Sequence, residues 1–159
     1  MSSRSSRVRT KVAALLISLA ALWGFAAFVT VREGVDLLGV STLDSGIAKP
    51  AETLLPALQE ERRLTLIYLG GGTADERAAM LAQRTSTDNA IATFRQSAGS
   101  GDVRYAASAA LLGRLSDTFA AFDTLSRSQR ADIDSGRLER AEAETIFTDI
   151  INSIFLVYD

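Results

Sequence analysis

An all-α fold is predicted for this 159-residue chain, with an N-terminal transmembrane helix followed by an antiparallel helical bundle. Three observations predict it. A run of 20 residues without charge, VAALLISLAALWGFAAFVTV, occupies positions 12–31. Beyond it, apolar residues return every three or four positions through four long stretches, the period of a helix with one buried face. Short turns separate those stretches, and none shows the apolar/polar alternation of a half-buried strand. Long amphipathic helices on short turns pack as an antiparallel bundle.

The uncharged run is long enough to cross a bilayer as a helix. Arg4, Arg7, Arg9 and Lys11 precede it. The positive-inside rule then makes 1–11 a basic cytoplasmic tail, 12–31 the membrane helix and 33–159 an extracytoplasmic domain. A cleaved signal peptide would have an apolar core of about 7–15 residues ending in a small-x-small site. This run is longer, and its end, FAAFVTVREG, offers no clean site. The expected location is the cell membrane, single-pass, with the lipid bilayer as a partner.

Four helices are expected in the exported part, over 51–69, 73–98, 102–126 and 138–158. Before them, 33–48 can continue the membrane helix outward, weakened by Gly34, Gly39 and Gly46. Pro56 inside the first stretch marks either the true first turn or a kink. Gly70, Gly71 and Gly72 end that helix. Thr73 and Glu76 then fit a capping box. Gly99-Ser100-Gly101 is the next turn, and Asp132 to Gly136 a polar break. The third helix lines up Leu111, Leu115, Phe119 and Phe122. The fourth lines up Ile146, Ile150, Ile154 and Phe155, and it stops at IINSIFLVYD without glycine or a basic last turn. That ending implies either a chain cut short or a last helix that packs against something encoded elsewhere.

Composition limits the chemistry. Cysteine and histidine are both absent, which removes disulfides, thiolate chemistry, His-based triads, most zinc sites and any phospho-accepting histidine. The three glycines are not followed by GK[ST], so they read as a turn rather than a phosphate cradle. Glu60 and Glu61 are adjacent on a helix and diverge, so they do not form a working carboxylate pair. No enzyme, no cofactor and no metal site is expected in this chain. Setting aside the four basic residues of the tail leaves 13 basic against 19 acidic, and an acidic domain is not a nucleic-acid binder.

One residue stands against the pattern. Leu55, Leu58, Leu66 and Leu69 fall within about 80° of one another on a helical projection, and Arg62 falls among them. Arg84 occupies the corresponding slot between Met80 and Thr87 on the next helix, with Asp88 at the edge. A buried guanidinium without a partner is very costly. Either an internal ion pair with Asp88 or Glu61 neutralises it, or the side chain snorkels to the bundle edge, or a small anion bound between helices pairs with it. A planar guanidinium fork matches planar oxyanions with paired hydrogen bonds. Geometry adds Arg84 and Thr65 to Arg62 as candidate ligand-binding residues.

The stretches RVRTKVAALLISLAALWGF, LLPALQEERRLTLIYLGG and LAQRTSTDNAIATFR resemble the nitrate- and nitrite-sensing (NIT) domain, in particular the N-terminal sensor region of actinobacterial sensor histidine kinases. The resemblance runs from about Arg7 to the end. It rests on the block Leu58, Gln59, Glu61, Arg62 and Thr65, then on Gln83, Arg84, Thr87 and Asp88, in that order behind an anchor. It implies an all-helical extracytoplasmic sensor, nitrate or nitrite as ligand, and Arg62 as the anion-associated arginine. Where family members often carry glycine after that arginine, this chain has Arg63. Family sensors are also longer, with a second helical half and a kinase domain, so 33–159 is expected to be an incomplete sensor domain that acts as a homodimer or pairs with a related sensor kinase. The alternative expectation is a truncated membrane-anchored interaction protein that pairs with a full-length sensor kinase and binds no ligand.

Overall fold

A computed structural model describes residues 15–28, 30 and 39–157. The chain divides into two compact units, 1–40 and 41–159. In the first, residues 15–28 form a helix, α1. Its large apolar side chains, Leu16, Trp23 and Phe28 among them, are exposed. Fourteen residues rise about 21 Å, short of the roughly 30 Å of a bilayer core. The expected membrane helix over 12–31 extends at both ends outside the described residues. Among the described residues, no helix is long and apolar enough to cross a membrane. The proposed outward continuation is described only from 39, with 33–38 outside the described residues.

The second unit is helical throughout and, among the described residues, contains no strand. A π-helical turn, π1 (Asp44–Ala48), runs straight into α2 (Lys49–Leu69). Pro50 lies in the first turn of α2, directly after the π-helical turn. The helix also runs through Pro56, so its first turn does not lie there. Gly46 lets π1 lie close to the bundle, since a Cβ there would meet Val103 Cγ2. The triple glycine ends α2, with Gly71 at φ 101°, a left-handed conformation that favours glycine.

The capping box forms as expected: Thr73 Oγ1 accepts from Glu76 N at 3.3 Å, and Thr73 N donates to Glu76 Oε2 at 2.6 Å. It starts α3 (Ala74–Ala98). The single helix expected over 102–126 is replaced by a short α4 (Gly101–Ala106) and a separate α5 (Ala109–Thr124). The break comes from Ser108, whose hydroxyl accepts from Leu111 N at 3.2 Å and caps a new helix start. Nor does the rod stop at 126. It continues through a second π-helical turn, π2 (Leu125–Gln129), into α6 (Arg130–Asp134), with helical backbone at both junctions. The last helix, α7 (Arg140–Leu156), starts at a Glu139–Glu142 capping box, two residues later than expected.

Hydrogen bonds between helices give their directions. Gln83 Nε2 and Thr87 Oγ1 both donate to the Ala57 carbonyl, so α2 and α3 form an antiparallel hairpin. Arg95 pairs with Asp123 while Arg84 pairs with Asp134, so α3 runs antiparallel to the α5–π2–α6 rod. Thr118 donates to the Ser153 carbonyl and Arg114 to that of Leu156, so α7 runs antiparallel to α5. α7 also packs on α2, which closes a four-membered up-down-up-down ring.

The core of that ring is fed by every helix. α2 contributes Leu54 and Leu58, α3 Met80 and Phe94, the rod Phe122, Leu125 and Ile133, and α7 Phe147 and Ile154, all fully buried. Phe94 meets Phe119 and Phe122 edge-on, at centroid distances of 6.1 and 6.2 Å. Such edge contacts add to area burial. The Arg95 guanidinium lies over the Phe119 ring at 5.1 Å and tethers the cluster's rim.

Candidate functional site

The buried line of α2 is Ala51, Leu54, Leu58, Glu61 and Thr65. This corrects the phase expected from the leucines: Glu61, not Arg62, occupies the central inward position. Leucine counting fails here because two of the five inward residues are polar. Leu55 and Leu69 pack only partly against the core.

Glu61 is fully buried and is gripped by Arg130, whose Nε and Nη2 donate to its two carboxylate oxygens at 2.7 Å each. The remaining Arg130 nitrogen donates to Asp88 at 2.6 Å. Burial alone would pull the Arg130 guanidinium down, but Glu61 and then Asp88 outweigh it and hold it above its ordinary range. Arg84 lies on the other side of the same carboxylate, 3.8 Å from Glu61 Oε1, and pairs with Asp134 at 2.8 Å. Three carboxylates thus surround two inward guanidiniums. Of the arrangements open for an inward arginine, Arg84 takes the internal ion pair, with Glu61 as one partner. Asp88, the other named candidate, serves Arg130 instead.

Arg62 is placed differently. It is half-buried, and its Nη1 donates to Thr148 Oγ1 of α7 at 3.3 Å. Among the described residues, no carboxylate lies within ion-pair distance of it. It lines an open cleft of about 450 Å³ together with Gln59, Glu60, Arg63, Leu66 and Glu144. Glu60 and Arg63 neutralise each other there through two hydrogen bonds of 2.6 and 2.8 Å. The hydrogen bond from Arg63 holds the Glu60 carboxyl below the usual carboxylate range. Among the described residues, Arg62 is therefore the guanidinium of the cleft without an ion pair.

Thr65 is fully buried in the core line, one turn from Glu61, and its hydroxyl has no partner. The three candidate residues are thus split: Thr65 and Arg84 belong to the core, and Arg62 to the cleft. Arg130, Asp134, Glu144 and Thr148 were not anticipated. Arg130 carried one usable signal, its position three residues before the apolar Ile133 on a helical face. Among the described residues, no cluster of acidic side chains is arranged to hold a metal ion.

A helical bundle whose chemistry is concentrated in guanidiniums between helices defines the class. A family model described as nitrate and nitrite sensing matches residues 53–158 of the 159, from the first turns of α2 to the end of α7. The chain belongs to this NIT family, and the bundle is its sensing domain. No curated protein and no solved structure matches the chain.

Proposed function

We propose that this chain is the membrane-anchored, extracytoplasmic sensor region of a two-component signalling histidine kinase, and that it binds nitrate or nitrite in the Arg62 cleft. The observation that carries the reading is the contrast among its inward or half-buried arginines. Arg84 and Arg130 are both ion-paired with carboxylates, whereas Arg62 has only the Thr148 hydroxyl. A half-buried guanidinium with free donors is the natural partner for a small planar oxyanion. The cleft is larger than a bare nitrate, so the bound anion keeps part of its hydration.

The anchoring reading is supported by the 20 uncharged residues at 12–31 behind a basic tail, and the positive-inside rule supports an extracytoplasmic domain. The chain itself is read as non-catalytic, with catalysis in a kinase partner or domain. The test is calorimetric titration of nitrate and nitrite into the full chain in detergent micelles, beside Arg62→Ala and Arg62→Lys. Saturable binding that Arg62→Ala abolishes supports the reading. A folded protein with no saturable binding overturns it.

A second reading follows from the end of α7, where Phe155 and Leu156 are 50% and 53% exposed. Here the chain is a membrane-anchored interaction protein that pairs with a second sensor chain and binds no ligand. Sedimentation over a wide concentration range tests it, and a species that stays monomeric throughout, with no apolar dye binding, overturns it.

A further inference from the structure

Four ionised side chains line the Arg62 cleft, two of each sign: Glu60, Arg62, Arg63 and Glu144. Glu60 and Arg63 are committed to each other. The field an incoming anion meets is therefore set by Arg62 and Glu144. These two share the cleft without forming an ion pair, and Glu144 has no cation within ion-pair distance among the described residues. They are linked through Thr148, which accepts from Arg62 at 3.3 Å and donates its one hydroxyl proton to the Glu144 carbonyl at 2.7 Å. The hydroxyl proton is thus spent on the backbone. The Glu144 side chain lines the same cleft.

We propose that Glu144 sets the charge selectivity of this cleft, admitting monovalent oxyanions such as nitrate and nitrite and rejecting dianions such as sulfate. The inference deepens the proposed function and rests on it. The interaction of an anion with the site potential grows in proportion to its charge, whereas the cost of stripping its water grows as the square. A lone Arg62 would supply enough potential to reward a dianion. With Glu144 lining the same cleft, its charge offsets part of that of Arg62, and the residual attraction outweighs only the smaller desolvation cost of a monoanion.

The same proportionality gives a quantitative signature. Glu144→Gln removes one unit of repulsion at nearly constant shape, and the gain in binding free energy is twice as large for a dianion as for a monoanion. If nitrate affinity rises about three- to tenfold, a magnitude expected for one charge across a partly solvated cleft, sulfate affinity rises by the square of that factor, about ten- to hundredfold. Glu144 is exposed on α7, so the substitution leaves the core untouched.

The experiment titrates nitrate, nitrite and sulfate at fixed ionic strength into the full chain in micelles, as wild type, Glu144→Gln and Asp149→Asn. Asp149→Asn is the control, an equal loss of charge from an exposed residue on another face of α7. The expected result is a larger fold-gain for sulfate than for nitrate in Glu144→Gln and no change in Asp149→Asn. Equal gains for both anions, equal effects of the two variants, or no gain at all overturn the assignment to Glu144. Absence of saturable binding by wild type and Glu144→Gln alike overturns the anion-binding reading itself.

Discussion

Arg130 and Glu61, 69 residues apart in sequence, meet as a two-pronged ion pair inside the bundle. The pair joins α2 to the α5–π2–α6 rod across the ring, whereas the hairpin and the α5–α7 contacts join only neighbours. It is the one ionic tie, among the described residues, made across the ring and buried at both ends.

The cost of breaking it is predicted first. Removing one member of a buried ion pair leaves an uncompensated charge and typically costs about 3–5 kcal/mol. Glu61→Gln or Arg130→Gln should each lower stability by that order in urea unfolding. The double variant Glu61→Leu/Arg130→Met should recover most of the loss, because apolar residues of similar volume tolerate the same space. A double variant no more stable than the worse single one would show that the two residues act separately.

Glu61→Ala offers a second test. It leaves two guanidiniums facing a carboxylate-sized void. Formate should fill that void and raise the melting temperature of Glu61→Ala, by a linkage of about 1–3 kcal/mol at 10 to 100 times its dissociation constant. Chloride at the same ionic strength, and formate with the wild type, should have little effect. Equal stabilisation of both proteins would reduce the effect to general salt.

Thr65 supplies a prediction of opposite sign. Its hydroxyl is buried and unpartnered, so its burial already carries a desolvation cost. Thr65→Val keeps the shape and removes that cost, and should be neutral or stabilising by up to about 1 kcal/mol. Thermal melts that show a clear loss would mean that the hydroxyl has a partner, such as an ordered water.

The capping box of α3 should be visible in the acid limb of stability. The backbone N–H of Thr73, and then its hydroxyl, hold the Glu76 carboxyl below its ordinary range. A carboxyl lowered in the folded state stabilises above its unfolded value, about pH 4.3, and loses that contribution as pH falls through the folded value. Glu76→Gln should therefore flatten the fall in stability below about pH 4.5 while leaving the neutral-pH slope unchanged. Melting temperatures measured from pH 7 to pH 3 in low salt check this.

Much of the architecture was legible because local signals agreed: the triple glycine, the Thr73–Glu76 box and the apolar periods of 74–98 and 140–156 all point to the same helices. The break at Ser108 was missed because a single capping serine outweighed an apolar period that runs past it. The rod through 125–134 was missed because SRSQRADID reads as a polar turn. Its inward side is Leu125, Arg130 and Ile133, and a guanidinium does not register as core. For the same reason the α2 stripe was read one residue out of phase. Polar residues that face inward announce themselves only through their partners, and those partners are 23 and 69 residues away. Arg62 was legible as an anomaly, but its separation from Arg84 was not, since it depends on the rotation of α2 between α3 and α7.

Glu61 and Arg62 are consecutive, so one helical step of about 100° separates the residue keyed into the core from the residue facing the cleft. On the proposed reading, this restricts how anion binding could move α2. Turning α2 about its own axis toward a bound anion would wrench Glu61 out of the Arg130 fork and abandon two charges in the interior. Displacement along the axis by on the order of 1–2 Å can be followed by the long arginine side chain without breaking the pair. On the proposed reading, the Glu61–Arg130 pair thus opposes a twist of α2 more than a stroke along its axis.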